Sequence, residues 1–486
     1  MKPPHRLFIF FLLFLALCFP LFLNLANLPL RLYDESRLAV NGLEMVQNGK
    51  WLVPHFDGQP DLWNTKPPLM IWLQALGMHL FGFNELAVRL PAALAGLATA
   101  LLLFFYGKRT GWLFGGWMAA LILVTTPGYV GEHVSRTGDC DALLVLWLTA
   151  GLLSFFHYVE SSDPREKTKF LLLTGLFTAL GVLTKSIVGF MFLPAMFAYL
   201  VLRKRVRATL TSPAFYLAAL LTAAIIGAYY LAREYHNPTY LQTVWNNEIG
   251  GRYLQMLEGH GGNPGFYLGN LPERFSPWIF FLPIGVLATF LNKTRRWFWI
   301  YLGLHFGSFL LFISLSQTKL RWYDAPLFPI LSLFTAVGTE WLWKAFDEYF
   351  SPRLSFPHKK NILLPMFILA IWGAPFVNRL EHATRTDIRD LDDTEAIAFG
   401  SFMKQLTHLR SYTIAHGNYN SHIDFYRQAY NNQGYHINSM PLDQLPAGER
   451  VLLCGEIQKK MIDSLYGYEI LKRDTFCRFV RIEGPR

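Results

Sequence analysis

The chain reads as a mainly α-helical, polytopic membrane protein with about eleven spans and a small extracytoplasmic α/β domain at its C-terminal end. Three observations predict that class. Hydrophobic residues make up 52% of the 486 and charged residues only 16%, where a soluble domain carries about 25% charge. Apolar runs of roughly 17–25 residues recur along the chain. Finally, the basic residues gather in alternate connections between those runs.

The runs fall near 7–28, 85–106, 112–131, 141–158, 170–187, 188–202, 213–232, 276–291, 297–315, 325–343 and 362–378. Connections on one side hold 18 Lys and Arg against 6 acids, and those on the other hold 12 against 14. Residues from 379 onward balance at 14 and 14, so the whole net charge of +10 lies in one set of loops. That is the positive-inside pattern, and it predicts a cytoplasmic N-terminus in a plasma (inner) membrane of bacterial type. The basicity needs no nucleic acid partner. Phe (41), Trp (14) and Tyr (22) suit a lipid-facing surface with interfacial aromatics. The first run lacks a small-x-small cleavage site, and Leu17 before Cys18 spoils a lipoprotein signal, so that run is expected to stay as a span.

Two long outer segments follow from this layout, 29–84 and 233–275, with a short charged loop, QTKLRWYDAP, at 317–326. The first contains a helix-like stretch from Asp34 to Gln47. It continues into LMIWLQALGMHLFG, too short to span and read as an amphipathic or re-entrant helix. After 378 the pattern alternates between strand-like runs (SYTIAH, YHINSM, RVLLCG, EILKR, FCRFVRI) and helix-like ones (SHIDFYRQAY, EIQKKMIDSLY). The domains are therefore drawn as 1–378, membrane region with its outer loops, and 379–486, an outer α/β domain without a phosphate-binding glycine loop. Of the four cysteines, Cys454 and Cys477 fall in the outer domain, where either a disulfide or two thiols are chemically permitted.

The candidate site residues sit in the outer segments. In YDESR (33–37), Asp34 and Glu35 follow the first span directly, with Arg37 one turn from Asp34. Acids at a helix start usually complement the dipole; a carboxylate held near a cation also stays ionised and can take a proton from a hydroxyl. In NTKPPL (64–69), Pro67 restricts Lys66 to extended geometry, and Pro68 stiffens the turn. A cation so fixed beside lipid suits a lipid phosphate. The RTGDCD turn puts Arg136, Asp139 and Asp141 at the mouth of two spans. Lys185 is read at the outer end of its run, and Arg252, His260, Lys319, Arg321 and Tyr323 complete the polar set. Two carboxylates in Asp-x-Asp do not compel a metal, and no metal or other cofactor is required by the sequence.

The order of these motifs resembles bacterial relatives of protein O-mannosyltransferases, and most nearly the lipid A 4-amino-4-deoxy-L-arabinose transferase group of the GT-C superfamily. The resemblance covers roughly residues 7–345. It is carried by the Asp-Glu after the first span, Asn-x-Lys-Pro-Pro at 64–68, an outer Asp before the fourth span, and Lys-x-x-x-Tyr-x-x-Pro at 319–326. It implies a GT-C fold and sugar transfer from a polyprenyl-phosphate donor to an extracytoplasmic lipid, glycan or protein acceptor, with inversion. Asp34 matches the family's first-loop carboxylate, proposed as base. Arg37, Lys66, Tyr323 and, loosely, Arg252 match residues near the lipid phosphate, and Asp141 matches the aspartate opening the fourth span. Trp63 stands near where the arabinose transferases carry Tyr, and 233–275 departs from them, which touches the sugar and the acceptor more than the reaction. The rival is a lipid or glycan transporter or flippase, but such proteins tend to place charges and broken helices near mid-membrane in repeated halves. Here the charges cluster at outer span ends.

Overall fold

The computed structural model of the protein describes residues 3–131, 133–251, 259–291, 293–354, 359–384, 394–416 and 419–486. It is mostly helical. Among the described residues seven helices are long and apolar enough to cross a membrane: Glu85–Arg109, Asp141–Glu160, Pro164–Phe190, Pro213–His236, Arg296–Leu315, Arg321–Arg353 and Lys360–Thr384. An eighth crossing is reached if Phe266–Arg274 and Trp278–Leu291, bent by 110° against each other, count as one span. This is a multi-pass membrane protein. The other apolar runs fold into shorter helices, among them Leu113–Thr125 and Leu193–Leu202. The first stops where Pro127 follows, a residue that biases Thr126 away from helix; Thr126 is extended, with ψ 120°. The Leu69–Phe81 stretch is a 13-residue helix, below the length of a span.

The chain divides into two compact units. The first comprises Met1–Leu23, Leu62–Met70 and Pro91–Thr384. Some of its helices approach closely where glycine removes the side chain. A Cβ on Gly285 would meet the Phe334 carbonyl oxygen at 2.1 Å, so the helices carrying them touch backbone to backbone. Small residues are the usual means of such contact where lipid removes any hydrophobic drive for helix association.

The second unit joins Asn24–Asp61, Ile71–Leu90 and Arg385–Arg486. It opens with the helix Asp34–Asn48 and a hairpin of β1 (His55–Phe56) and β2 (Gln59–Pro60). Asp57 (φ 53°) and Gly58 (φ 74°) form its turn, the Asp-Gly pair that left-handed hairpin turns favour. The C-terminal part holds β3 (Ser411–Ala415), β4 (His436–Met440), β5 (Arg450–Cys454), β6 (Tyr466–Arg473) and β7 (Cys477–Pro485). The sheet order is β4-β3-β5-β7-β6, parallel across the first three strands and antiparallel thereafter. All five strand-like runs and both helix-like runs of the C-terminal sequence are realised. Helix Ser421–Asn431 makes the crossover between parallel β3 and β4, as a parallel pair requires.

The larger of two apolar clusters in the second unit draws on all three of its segments. Leu30, Val40, Leu43 and Val88 are buried with Phe402, Phe425 and Phe479 in a single cluster. Residues distant in sequence thus share one apolar interior, which alternation along each segment alone does not reveal. Cys454 and Cys477 lie opposite each other on β5 and β7 and are joined as a disulfide.

Candidate active site

The site in the first unit begins with a helical hairpin. Helices Asp141–Glu160 and Pro164–Lys185 have 20 and 22 residues and are joined by three residues. Antiparallel and matched in length, they bring the start of one beside the end of the other. Asp141 opens the first helix and Lys185 closes the second, so each charge complements the dipole of its own helix. Lys185 Nζ lies 2.6 and 2.8 Å from the two Asp141 carboxylate oxygens. The pair is buried, and the ammonium also lies over the Tyr323 ring, 4.8 Å from its centroid. Ser186 adopts φ 50°, turning the chain at once into the short helix Ser186–Phe190.

A cavity of about 710 Å³ opens beside this pair. Lys66, Asp141, Lys185, Tyr323, Glu248 and Ser316 provide its polar lining. The remainder is apolar, with Leu144, Met191, Phe197, Phe309 and Ile313 among the walls. Lys66 is set by its neighbour: the Thr65 hydroxyl donates to Glu248 (2.9 Å), and the Thr65 carbonyl accepts from the Tyr240 hydroxyl (2.8 Å). Arg233, fully buried, stacks over Tyr240 at 4.8 Å. Cys140 lies among the same charges, and burial pushes its thiol up to about 12 against the opposing pull of Lys66 and Lys185.

Four of the residues singled out from sequence therefore meet at one cavity: Lys66, Asp141, Lys185 and Tyr323. Asp139 is buried and accepts from the Thr137 hydroxyl at 2.5 Å, with His133 Nδ1 at 3.5 Å. Lys319 donates to the Ser316 carbonyl, and its backbone amide donates to the His260 carbonyl at 2.8 Å. Burial lowers the Lys319 ammonium below its ordinary range. Arg252 lies outside the described residues. Arg136 donates to the carbonyls of Pro20, Leu21 and Leu23, satisfying the open end of the first helix.

Asp34, Glu35 and Arg37 belong to the second unit. Asp34 is half-buried and begins its helix after Tyr33, whose φ of 69° and ψ of −120° are costly for a residue with a Cβ. Such strain costs about 1–3 kcal/mol and persists only where the surroundings enforce it. Here the Tyr33 carbonyl accepts from the Arg37 amide (2.9 Å), and its ring stacks on Tyr419 at 6.2 Å.

The two neighbours are bound tightly. Glu35 takes Arg89 Nε and Nη2 at 2.7 and 2.9 Å and the Arg31 amide at 2.8 Å. Arg89 spends its other donors on the carbonyls of Leu25, Leu28 and Pro29. Arg37 forks onto Asp61 at 2.9 and 2.8 Å and lies 4.2 Å from the Phe56 ring centroid. Burial opposes that charge, but hydrogen bonding and pairing with Asp61 carry the guanidinium above its ordinary value.

Sequence reasoning missed Glu248 at the cavity, Tyr240 and Arg233 that support Thr65, and Asp61 and Arg89 in the second unit. Glu248 and Arg233 were legible only as charges in an outer segment. What brings Glu248 to Thr65 and Arg233 to Tyr240 is tertiary.

Residues 65–230 match the family model described as dolichyl-phosphate-mannose-protein mannosyltransferase. An undecaprenyl phosphate-alpha-4-amino-4-deoxy-L-arabinose arabinosyl transferase of Edwardsiella ictaluri is 30% identical over 333 residues, 66% of this chain and 58% of that protein. The chain thus spans less than two thirds of the length of that relative. The crystal structure of ArnT from Cupriavidus metallidurans bound to undecaprenyl phosphate is similar with a TM-score of 0.74 at 16% identity, covering 100% of both chains. The chain resembles the GT-C glycosyltransferases of the lipid A arabinose transferase group. An oligosaccharyltransferase of Archaeoglobus fulgidus is similar with a TM-score of 0.57 at 11% identity, covering 98% of this chain and 74% of that one. The GT-C resemblance expected from the motif order is therefore found in both sequence and fold.

Proposed function

We propose that the protein is an inverting membrane glycosyltransferase that moves a sugar from a polyprenyl-phosphate donor to a hydroxyl of an extracytoplasmic lipid, glycan or protein. The observation that carries this reading is the cavity itself: a mostly apolar chamber with cations and a phenol gathered among its polar lining. That is the chemistry of a prenyl chain ending in phosphate, in a chain resembling enzymes named for such donors.

Asp34 draws the proton from the acceptor hydroxyl while its oxygen attacks the anomeric carbon. The bond from that carbon to the phosphate oxygen breaks, and the lipid phosphate leaves. Lys66 stabilises the departing charge, with Tyr323 donating a hydrogen bond and Lys185 adding positive potential from within its ion pair. Asp141 holds Lys185 in place. Glu35 and Arg37 take positioning roles in this scheme, since their strongest bonds run to Arg89 and Asp61. Asp139 and Lys319 are assigned to the walls of the outer face, and Arg252 to the donor phosphate.

In the membrane, we assign eleven spans with the N-terminus inside and residues 379–486 outside. The positive-inside distribution supports this orientation, and so does the Cys454–Cys477 disulfide, which persists in an oxidising compartment. The test is transfer in vesicles supplied with a polyprenyl-phosphate-linked sugar and an envelope-lipid acceptor. Labelled acceptor is expected with the native chain; its absence with every envelope acceptor tried contradicts the reading.

A further inference from the structure

At the far end of the same helical hairpin, away from Asp141 and Lys185, lies a second concavity that the transfer reaction does not use. A pocket of about 190 Å³ is lined by Lys167, Arg205, Thr168, Thr209 and Ser212. It lies where two long helices begin, Pro164–Lys185 and Pro213–His236, and helix starts favour anions. Pro164 and Thr168 also line an adjoining groove of about 710 Å³, whose walls are Leu172, Leu173, Leu176 and Leu221 with Arg165 and Lys169 at its rim. The groove runs beside the contact of the two helices, where Thr222 donates to the Gly175 carbonyl at 2.9 Å.

The charge here is not balanced by local acids. Glu160 is held by Arg203 and Tyr199, Glu166 by Arg109, and Asp163 caps the Arg165 amide. Among the described residues, Arg165, Lys167, Lys169 and Arg205 form no ion pair. Lys167 and Arg205 thus line a small hydroxyl-bearing pocket, and Arg165 and Lys169 line the leucine groove that adjoins it.

We propose that this is a binding site for an anionic glycerophospholipid, with its phosphate in the Lys167–Arg205 pocket and an acyl chain along Leu172, Leu173 and Leu176. A polar compartment joined to an apolar one by shared residues suits a headgroup and its chain better than a free anion, which needs no groove. Basic pockets between spans are recognised lipid-headgroup sites. The site's leaflet rests on the proposed orientation, which makes it cytoplasmic; the binding claim does not.

The full chain, purified in detergent, is loaded with phosphatidylglycerol or with phosphatidylcholine of matched chains, and retained lipid is counted by native mass spectrometry. Phosphatidylglycerol is expected to be retained preferentially. Lys167→Ala and Arg205→Ala each lower that retention by roughly fivefold, the factor an interfacial cation contributes. Thr168→Leu, which blocks the joint between pocket and groove, lowers it as well and serves if an alanine variant does not fold. Equal retention of both lipids overturns the proposal, as does displacement of phosphatidylglycerol by inorganic phosphate at millimolar concentration. Labelling of Arg205→Cys by an impermeant maleimide from outside intact spheroplasts overturns the orientation instead, and leaves the lipid count to decide the site.

Discussion

Lys185 and Asp141 form a buried ion pair, 2.6 Å at its shorter contact, across the open end of a helical hairpin. Neither residue reaches the other through sequence neighbourhood. The hairpin's arms, of nearly equal length, bring them together, and the pair then fixes one wall of the cavity that Lys66 and Tyr323 also line.

Removing one partner leaves a buried charge alone. Lys185→Met is expected to destabilise the protein by about 3–5 kcal/mol, whereas Lys185→Met with Asp141→Leu recovers most of that loss. Thermal unfolding in detergent checks it. Equal midpoints for the single and double variants contradict the pairing as a structural element.

Thr65 and Glu248 position Lys66 without belonging to the reacting groups. Thr65→Val removes the hydrogen bond to Glu248 and leaves that carboxylate buried and short of a partner. The expected result is a several-fold rise in KM for the lipid-linked donor with kcat largely retained. Steady-state transfer at varied donor concentration separates the two.

The second unit depends on its C-terminal part. Tyr426 accepts from the Leu30 amide (2.8 Å) and donates to Glu85 (2.6 Å), and Ser421 pairs with Ser36 at 2.7 Å. Tyr426→Phe is expected to cost about 1–3 kcal/mol, the penalty for leaving buried groups unsatisfied. Deleting 394–486 strips the shared core from residues 24–61 and should abolish transfer even though Asp34 remains. Limited proteolysis of the 24–61 segment reports both effects.

His422 contributes to the acid sensitivity of this unit. Burial, aided by the charge of His416, holds its imidazole down at about 3. Below pH 6.5 the unfolded chain takes up a proton that the folded unit refuses. The His422 contribution to stability is therefore full above pH 6.5 and is lost as pH drops from 6.5 toward 3. His422→Gln should flatten unfolding midpoints across that window, measured as melts between pH 4 and 7.

Much of the architecture was legible because lipid imposes a coarse code. Apolar run length named seven helices long enough to cross a membrane, and period-two alternation named β3 to β7. The site was legible where a motif constrains geometry locally, as Pro67 does for Lys66. It was not legible where the partner is remote: nothing near Glu35 announces Arg89, and nothing near Thr65 announces Glu248. The sharing of one core by residues 24–61, 71–90 and the C-terminal sheet is likewise a long-range fact. Strand and helix periods describe faces, and leave open which faces meet.

The central claim is sugar transfer with Asp34 as base and Lys66 as phosphate anchor. Its most direct measurement uses the purified chain in liposomes with a radiolabelled polyprenyl-phosphate-linked sugar and extracted envelope lipids. The native chain should pass label to acceptor and release polyprenyl phosphate in equal amount. Asp34→Asn should bind donor normally yet transfer nothing, and Lys66→Ala should lose donor binding. Undiminished transfer by Asp34→Asn, or label passing without release of polyprenyl phosphate, would contradict the account.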